Sequence, residues 1–158
     1  MQLFTKGYFM ATIMRHVNVL SRCESLWRTE KLGIAEISGN HHSFILGICK
    51  NPGKSQEWLS KSLCLNKSTV TRTLCYLEEK GYVDRIPDDS DKRVLLVYPT
   101  DKMLEILPRV KEITKEWNSL IVQDLCEDDV EAFRSLLEKI CQKARETVKL
   151  TTDSEDKK

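Results

Sequence analysis

The clearest structural pattern in the chain lies in residues 55–98, SQEWLSKSLCLNKSTVTRTLCYLEEKGYVDRIPDDSDKRVLLVY. Ser55 is a good N-cap for a short helix, which the apolar spacing predicts over residues 56–62. Asn66 is a good N-cap for a second helix, predicted over residues 67–80. Because only a tight turn separates the two, this part of the chain is predicted to form a helix-turn-helix.

The second of these helices has one narrow apolar stripe at positions i, i+4 and i+7, formed by Val70, Leu74 and Leu77. A rotation of about 100° per residue then turns Ser68, Thr69, Arg72, Cys75 and Tyr76 outward. Short hydroxyls near a helix N-terminus can approach phosphates, and arginine can bind the edge of guanine. The pattern therefore favours a recognition helix for DNA, although an ordinary solvated helix face is the alternative.

After this helix the sequence changes to a β pattern. Gly81 stands where a left-handed residue would end the helix, and strands are predicted over residues 82–86 and 94–98. The connection carries Arg85 at its start and three charged residues at its end, Asp91, Lys92 and Arg93. Such a cationic tip could enter a minor groove, with Asp91 holding the guanidinium of Arg93. The alternative is a surface loop whose acids and cations only keep it solvated.

Long amphipathic helices flank this block. One is predicted over about residues 8–30, and others from Asp101 onward, with a kink at Pro108 and a last helix from Glu127. The predicted fold is therefore mainly α with a small β-hairpin. It is one domain over residues 1–158, with a winged helix-turn-helix lobe at about 41–98, dimerisation helices at about 8–30 and 101–148, and a flexible tail at 151–158.

Homodimerisation follows from these lengths, because so small a lobe cannot cover the apolar faces of both flanking helices. Pairing with a second copy would bury the faces and set two recognition helices about one DNA turn apart, which predicts a pseudo-palindromic operator.

Composition excludes several classes of protein. The net charge of +1 gives no nucleic-acid signal by itself, so cationic groups must be focused by geometry. The six cysteines lack C-x-x-C spacing and a preceding secretory signal, which favours reduced thiols in the cytoplasm and no metal site. No apolar run approaches the roughly 20 residues that span a bilayer. No catalytic constellation or phosphate-cradling glycine loop is present, so neither an enzyme nor a cofactor is predicted.

The chain resembles the MarR family of winged-helix regulators. The resemblance is carried by Asn66 to Arg72, by Leu77-Glu78-Glu79-Lys80-Gly81-Tyr82-Val83, and by Arg85 with Asp91-Lys92-Arg93, similar to the family's L-E-x-x-G and D-x-R patterns. It implies a recognition helix in the major groove of double-stranded DNA and Arg93 in the minor groove. The resemblance, together with the residue types described above, predicts a set of DNA contacts. They are Ser55, Gln56, Lys67, Ser68, Thr69, Thr71, Arg72, Tyr76, Arg85, Asp91, Lys92 and Arg93. A departure from the family's Leu-Thr-x-x-Gly stretch occurs at Pro99-Thr100-Asp101-Lys102-Met103.

The resemblance also implies a sensor, predicted to be a repressor that a signal releases from its operator. A small aromatic acid would bind near Arg15, His16, His42 and Trp58, with His41 also conceivable, although a histidine near apolar neighbours is more often structural. Oxidation of Cys23, beside Arg22, or of Cys75 is the alternative signal, against six inert thiols. A winged-helix protein-interaction module with little DNA affinity is the alternative function.

Overall fold

The computed structural model describes the backbone of residues 2–155 and the side chains of residues 13–148. The elements in chain order are α1 (Gln2–Leu32), a 3-10 turn (Gly39–His41), α2 (His42–Lys50), β1 (Lys54–Ser55), α3 (Gln56–Leu63), α4 (Lys67–Glu79), β2 (Val83–Pro87), β3 (Leu95–Pro99), α5 (Asp101–Leu120) and α6 (Glu127–Glu155). The chain divides into two compact units, one up to Trp117 and one from Asn118. The fold is mainly helical with a small antiparallel sheet, which confirms the predicted winged-helix class.

The helix-turn-helix is α3 and α4, and local polar contacts fix its geometry. The Ser55 hydroxyl accepts a hydrogen bond from the Trp58 amide at 3.1 Å, and the Asn66 side chain accepts one from the Thr69 amide at 2.7 Å. Both predicted N-caps are therefore confirmed. Between the helices Cys64 adopts a left-handed conformation with φ of 53°, which lets the chain reverse direction within a few residues.

The core of the first unit is apolar and continuous. The stripe predicted on α4 is its centre, since Leu74 and Leu77 are fully buried and Val70 is nearly so. It packs with residues from α2, α3, the sheet and α5, namely Phe44, Ile45, Ile48, Leu59, Tyr82, Val83, Val97, Met103 and Val110. α4 is thus held by burial of one face, and its opposite face is left for other contacts.

The sheet has three strands in the order β1-β3-β2, where the sequence predicted only a hairpin. β2 and β3 form that hairpin, one residue later at each end than predicted, and Gly81 precedes it with the expected positive φ of 74°. The additional strand, β1, pairs Lys54 with Val97 and Ser55 with Leu96. Sequence patterning missed β1 because two residues are too few to show an alternating period.

Beyond the sheet, the chain continues as α5 and α6. Pro108 lies inside α5, whose helical assignment is unbroken from Asp101 to Leu120. α6 continues to Glu155, so residues 151–155 are helical where the sequence predicted a flexible tail, and residues 156–158 of that tail lie outside the described residues. Within the described residues, no helix is both long and apolar enough to cross a membrane.

Candidate nucleic-acid interface

The outward face of α4 is built around its N-terminus. Lys67, Ser68, Thr71 and Arg72 are exposed, and Thr69 is half-buried. The Ser68 hydroxyl donates to the Asn66 side chain at 2.9 Å, and the Thr71 hydroxyl donates to the Lys67 carbonyl at 2.9 Å. These bonds order the hydroxyls while leaving them at the surface, beside the free backbone amides of a helix N-terminus, where an anion is favoured.

Arg72 lies one turn further along the same face. Its Nε donates to the Ser68 carbonyl at 3.4 Å, a long bond at an exposed position. No ion pair is recorded for its guanidinium among the described residues. The bidentate edge of the guanidinium is therefore available to a partner such as guanine.

The wing is the loop between β2 and β3, and its acids have specific structural roles. Asp88 accepts hydrogen bonds from the amides of Ser90 at 2.8 Å and Asp91 at 3.2 Å, and also binds the Ser90 hydroxyl. These bonds, the serine hydroxyl first, lower the pKa of the Asp88 carboxyl. The loop closes where the Asp88 amide donates to the Val94 carbonyl at 2.8 Å. Asp88 thus shapes the loop that carries the cations.

Asp91 orients Arg93 at the tip, as predicted. Its Oδ1 accepts from both the backbone amide of Arg93 at 3.0 Å and the guanidinium Nε at 3.1 Å. The pKa of the Asp91 carboxyl is lowered, chiefly by its hydrogen bond with the Arg93 side chain. The Arg93 side chain is 91% exposed, so Asp91 orients the guanidinium while leaving it in solvent. Lys92 pairs with Asp89 at 2.7 Å.

Two other predicted DNA contacts are engaged inside the protein. The Arg85 side chain is only 15% exposed, and its Nε donates to Glu78 at 3.1 Å. That hydrogen bond raises the pKa of Arg85, and a smaller contribution comes from its contact with the thiol of Cys75. The Tyr76 hydroxyl donates to the Glu36 carbonyl at 2.8 Å, and its ring stacks on His41. Both residues therefore brace α4 against neighbouring segments.

The predicted phosphate contacts at the start of α3 are half-buried. The Ser55 hydroxyl is already the N-cap of α3. Gln56 is the first residue of the helix, and its Oε1 is buried with no hydrogen-bond partner among the described residues. A buried acceptor without a partner is costly, so the Gln56 amide is poised for a donor that the free protein does not supply.

A cleft of about 470 Å³ lies beside α4, between α1 and the start of α2. Its walls are rich in hydroxyls and carry one cation beside one acid, and they include Glu24, Ser25, Arg28, Ser38, His41, Phe44, Thr69 and Thr73. Arg28 is ion-paired with Glu24, and its Nε has no hydrogen-bond partner among the described residues. Burial lowers the pKa of Arg28 despite that ion pair. Because Thr69 and Thr73 belong to α4, the cleft touches the recognition helix directly.

None of the four predicted effector residues lines this cleft. Arg15 and His16 are exposed on α1. His42 is buried, with its Nε2 2.5 Å from the hydroxyl of Thr114 on α5, and Trp58 packs against the core. Burial first, and then the charge of Arg28, lower the pKa of His42 to about 4, so its ring is neutral at pH 7. His42 therefore has a structural role, since it connects α2 to α5 through a buried contact.

The two cysteines predicted as redox sensors are both exposed free thiols. Cys75 lies on α4 and its thiol contacts the guanidinium of Arg85. Both thiols are therefore open to an oxidant, and Cys75 is the one of the two that contacts a guanidinium among the described residues.

Sequence reasoning missed the cleft and the contacts of Glu36. The segment Ser38-Gly39-Asn40 showed only that a helix ends, whereas it packs closely on α1. The Gly39 amide donates to the Thr29 hydroxyl at 2.8 Å, and a Cβ at Gly39 would lie 2.3 Å from the Ser25 carbonyl. A glycine directly before a polar turn is the one signal in the sequence for such close approach.

Comparison with known proteins agrees with this geometry. The MarR family model matches residues 40–95, which include the helix-turn-helix and the wing. A MarR protein from Peptoclostridium difficile is 29% identical, with a TM-score of 0.82 over 85% of this chain and 88% of that one. The HTH-type transcriptional regulator BilQ of Clostridioides difficile is 24% identical over 82% of each chain.

A mutant MarR from E. coli, solved in complex with operator DNA, has a TM-score of 0.75 over 83% of this chain and 94% of that one. At 23% identity, this likeness supports the fold. Residues 40–95 match the MarR family model, and with the observed helix-turn-helix and wing, and with relatives that are transcriptional regulators, they make this chain similar to the MarR family of DNA-binding transcriptional regulators.

Proposed function

We propose that this protein is a cytoplasmic homodimeric repressor that binds a pseudo-palindromic operator and leaves it when a signal reaches the DNA-binding lobe. The observation that carries the proposal is the pair of exposed arginines. Arg72 stands on the outward face of α4, and Arg93 is held at the wing tip by Asp91. A base-reading guanidinium on a helix beside a second one on a hairpin suits a major groove and the adjoining minor groove.

The contacts expected on DNA divide by chemistry. Lys67, Ser68 and Thr71 surround the N-terminus of α4 and would bind phosphates, which fix register without reading sequence. Arg72 would read a base, and Arg93, with Lys92 beside it, would enter the minor groove. In this interface Tyr76 and Arg85 serve as braces of α4 and do not touch DNA, because their polar atoms are occupied by Glu36 and Glu78.

The homodimer is supported by apolar side chains that the single chain leaves exposed. They lie along α1 and α6 and include Ile13, Met14, Val17, Val19, Leu26, Phe133, Leu136 and Ile140. Large exposed apolar faces on monomeric proteins are rare and mark interaction surfaces. A second copy of the same chain would cover them with closed two-fold symmetry.

The signal is proposed to be a small aromatic acid bound in the cleft beside α4. Phe44 offers an apolar wall for the ring, and Arg28 offers a cation for the carboxylate. A ligand there would touch Thr69 and Thr73, so it would act on the recognition helix without an intermediary. Oxidation of Cys75 is the second candidate signal, favoured by its exposed thiol beside Arg85.

The alternative of a protein-interaction module with little DNA affinity loses its main support in the wing. Three unpaired acids in the wing loop would favour this alternative, because free carboxylates repel phosphate. Asp88 instead closes the loop, Asp89 pairs with Lys92 and Asp91 aims Arg93. The acids are thus used in presenting the cations.

The test is a DNA-binding titration with the native protein and with Arg72→Ala and Arg93→Ala variants, on DNA selected from random fragments. Loss of a bidentate base contact should cost about 1–3 kcal/mol and relax the preference at one position of each half-site. Affinity of the native protein should fall steeply with salt. Site symmetry in the selected DNA tests the dimer in the same experiment.

Arg134→Ala is the matched control, because Arg134 is an exposed arginine on α6 that pairs with Glu131 and Glu138. It should bind DNA as the native protein does. Native-like affinity and unchanged base preference in Arg72→Ala would contradict the recognition-helix assignment. Selected sites without two-fold symmetry would contradict the homodimer.

A further inference from the structure

Glu36 lies in the segment that joins α1 to the DNA-binding lobe, and it contacts the recognition helix. Its backbone carbonyl accepts the hydroxyl of Tyr76, on α4, at 2.8 Å. Its carboxylate accepts the hydroxyl of Tyr82, just after α4, at 3.3 Å. Glu36 is therefore hydrogen-bonded to the C-terminal part of α4, one turn after Arg72.

Lys102, in the first turn of α5, completes the arrangement. Its ammonium donates to the Glu36 carboxylate at 3.0 Å and to the carbonyl of Lys80, the C-cap of α4, at 2.8 Å. The same nitrogen lies 4.2 Å from the centre of the Tyr82 ring, within cation–π distance. We name the group formed by Glu36, Tyr76, Tyr82 and Lys102 the Glu36 clasp.

The ion pair of the Glu36 clasp contributes little to the overall stability of the fold. The side chains of Lys102 and Glu36 are 45% and 42% exposed, and ion pairs at such exposure contribute little. Tyr82, in contrast, is almost fully buried in the core and would be held there without the ion pair. The ion pair instead fixes the relative orientation of three segments, because it connects the segment after α1, the C-terminus of α4 and the start of α5 at one point.

Glu36 and Lys102 each stabilise the charged form of the other. The hydrogen bond from Lys102 lowers the pKa of Glu36, and the same bond raises the pKa of Lys102. Both groups are therefore charged across the range of pH in which a protein binds DNA. The contact therefore persists at physiological pH, and removing either charge would break it.

We propose that Glu36 and Lys102 are positioning residues for DNA binding, which set the angle of α4 to α1 without touching DNA. In the proposed homodimer α1 carries part of the pairing surface, so this angle would also set the distance between the two recognition helices. The spacing between half-sites is the part of the inference that rests on the proposed function.

The experiment compares Lys102→Met, Glu36→Gln and the conservative Lys102→Arg with the native protein on the selected operator. Lys102→Met and Glu36→Gln should each weaken binding by about 2- to 30-fold, the range of a coupling of about 0.5–2 kcal/mol. They should also tolerate changed half-site spacing. Lys102→Arg keeps donors for both oxygens and should retain most of the affinity. Lys115→Met removes another exposed α5 lysine and should bind as the native protein does.

Two readouts separate positioning from other roles. The slope of affinity against salt should be unchanged, since no phosphate contact is lost, and amide exchange should quicken in residues 34–38 but not at Leu74. A slope shallower by about one would assign Lys102 to a phosphate and overturn the proposal. A loss of affinity matched by a lower unfolding midpoint would overturn it as well.

Arg72→Ala in the same titrations separates the two hypotheses. If Arg72→Ala loses affinity while Lys102→Met and Glu36→Gln bind as the native protein does, the Glu36 clasp has no positioning role and the proposed function stands. If the native protein selects no site, the proposed function fails and the positioning role fails with it.

Discussion

The DNA-binding lobe and the terminal helices treat the same kind of side chain in opposite ways. Leu74, on α4, is completely buried within the lobe, whereas Leu136, on α6, is 58% exposed. Both leucines belong to amphipathic helices with similar apolar spacing. Helical periodicity therefore shows that a face will be covered, but it does not show whether the cover comes from the same chain.

The two regions also differ in whether they can bury their apolar side chains without a partner. The lobe closes its own core, from Ile37 near α2 to Val110 on α5. On α1 and α6 the exposed apolar side chains are left for a partner, and Met14 and Ile140 are each more than half exposed. Three experiments test whether the two regions differ in this way.

The largest expected effect comes from truncating a matched pair of leucines. Leu74→Ala should lower the free energy of unfolding of the lobe by about 2–5 kcal/mol, because it leaves a cavity in a closed core. Leu136→Ala should leave the lobe's unfolding nearly unchanged and should instead weaken self-association. Urea unfolding measures the first effect, and sedimentation equilibrium measures the second.

Glu79→Ala, an exposed change on the same helix as Leu74, should stay within about 0.5 kcal/mol of the native stability. Equal losses of lobe stability for Leu74→Ala and Leu136→Ala would refute the comparison, since they would mean that α6 is part of the lobe's own core.

A second effect should appear on acidification and should act on the lobe. The pKa of His42 is lowered to about 4, so folding favours its neutral ring. The resulting stability is fully present above about pH 6.5 and is lost as the pH falls toward 4, because the unfolded chain binds the proton first. The loss should reach about 3 kcal/mol, at about 1.4 kcal/mol for each unit of pKa. Urea titrations from pH 7 to pH 4 measure it.

His42→Gln should flatten this dependence, whatever its stability at pH 7. His16→Gln, at an exposed position on α1, should follow the native profile. A native-like pH profile in His42→Gln would show that other groups carry the acid sensitivity.

The smallest effect is expected in the wing, which is exposed like the terminal helices but charged. Asp91→Asn removes the charge that aims Arg93, so DNA affinity should fall by about 2- to 10-fold as the guanidinium has to be ordered on binding. Unfolding and self-association should not change. Fluorescence anisotropy with operator DNA measures the affinity.

Asp89→Asn is the matched change in the same loop, because Asp89 is fully exposed and its ion pair is with the neighbouring Lys92. It should have a smaller effect on affinity. If it weakened binding as much as Asp91→Asn, the effect would come from loop charge and not from the orientation of Arg93.

Contacts close in sequence could be predicted, and distant ones could not. The stripe of Val70, Leu74 and Leu77 and the bond between Asp91 and Arg93 follow from helical periodicity and from a spacing of two residues. The contact of Lys102 with Glu36 spans 66 residues, and nothing local to either residue indicates it.

The same limit explains the remaining differences at the site. Tyr76 and Arg85 were predicted to face DNA from the rotation of a helix and from charge alone. Their actual partners, Glu36 and Glu78, are decided by packing between elements. The cleft escaped prediction for the same reason, because its walls come from α1, α2 and α4, and its hydroxyls are ordinary in each.

The exposed apolar faces of α1 and α6 have a consequence for how much of the protein a cell must hold. If those faces close only in pairs, the population of operator-binding protein depends on total concentration by mass action. Dilution would then lower the melting temperature of the terminal helices together with occupancy of the operator. Repression would respond to the abundance of the regulator more steeply than in direct proportion, even before any signal arrives.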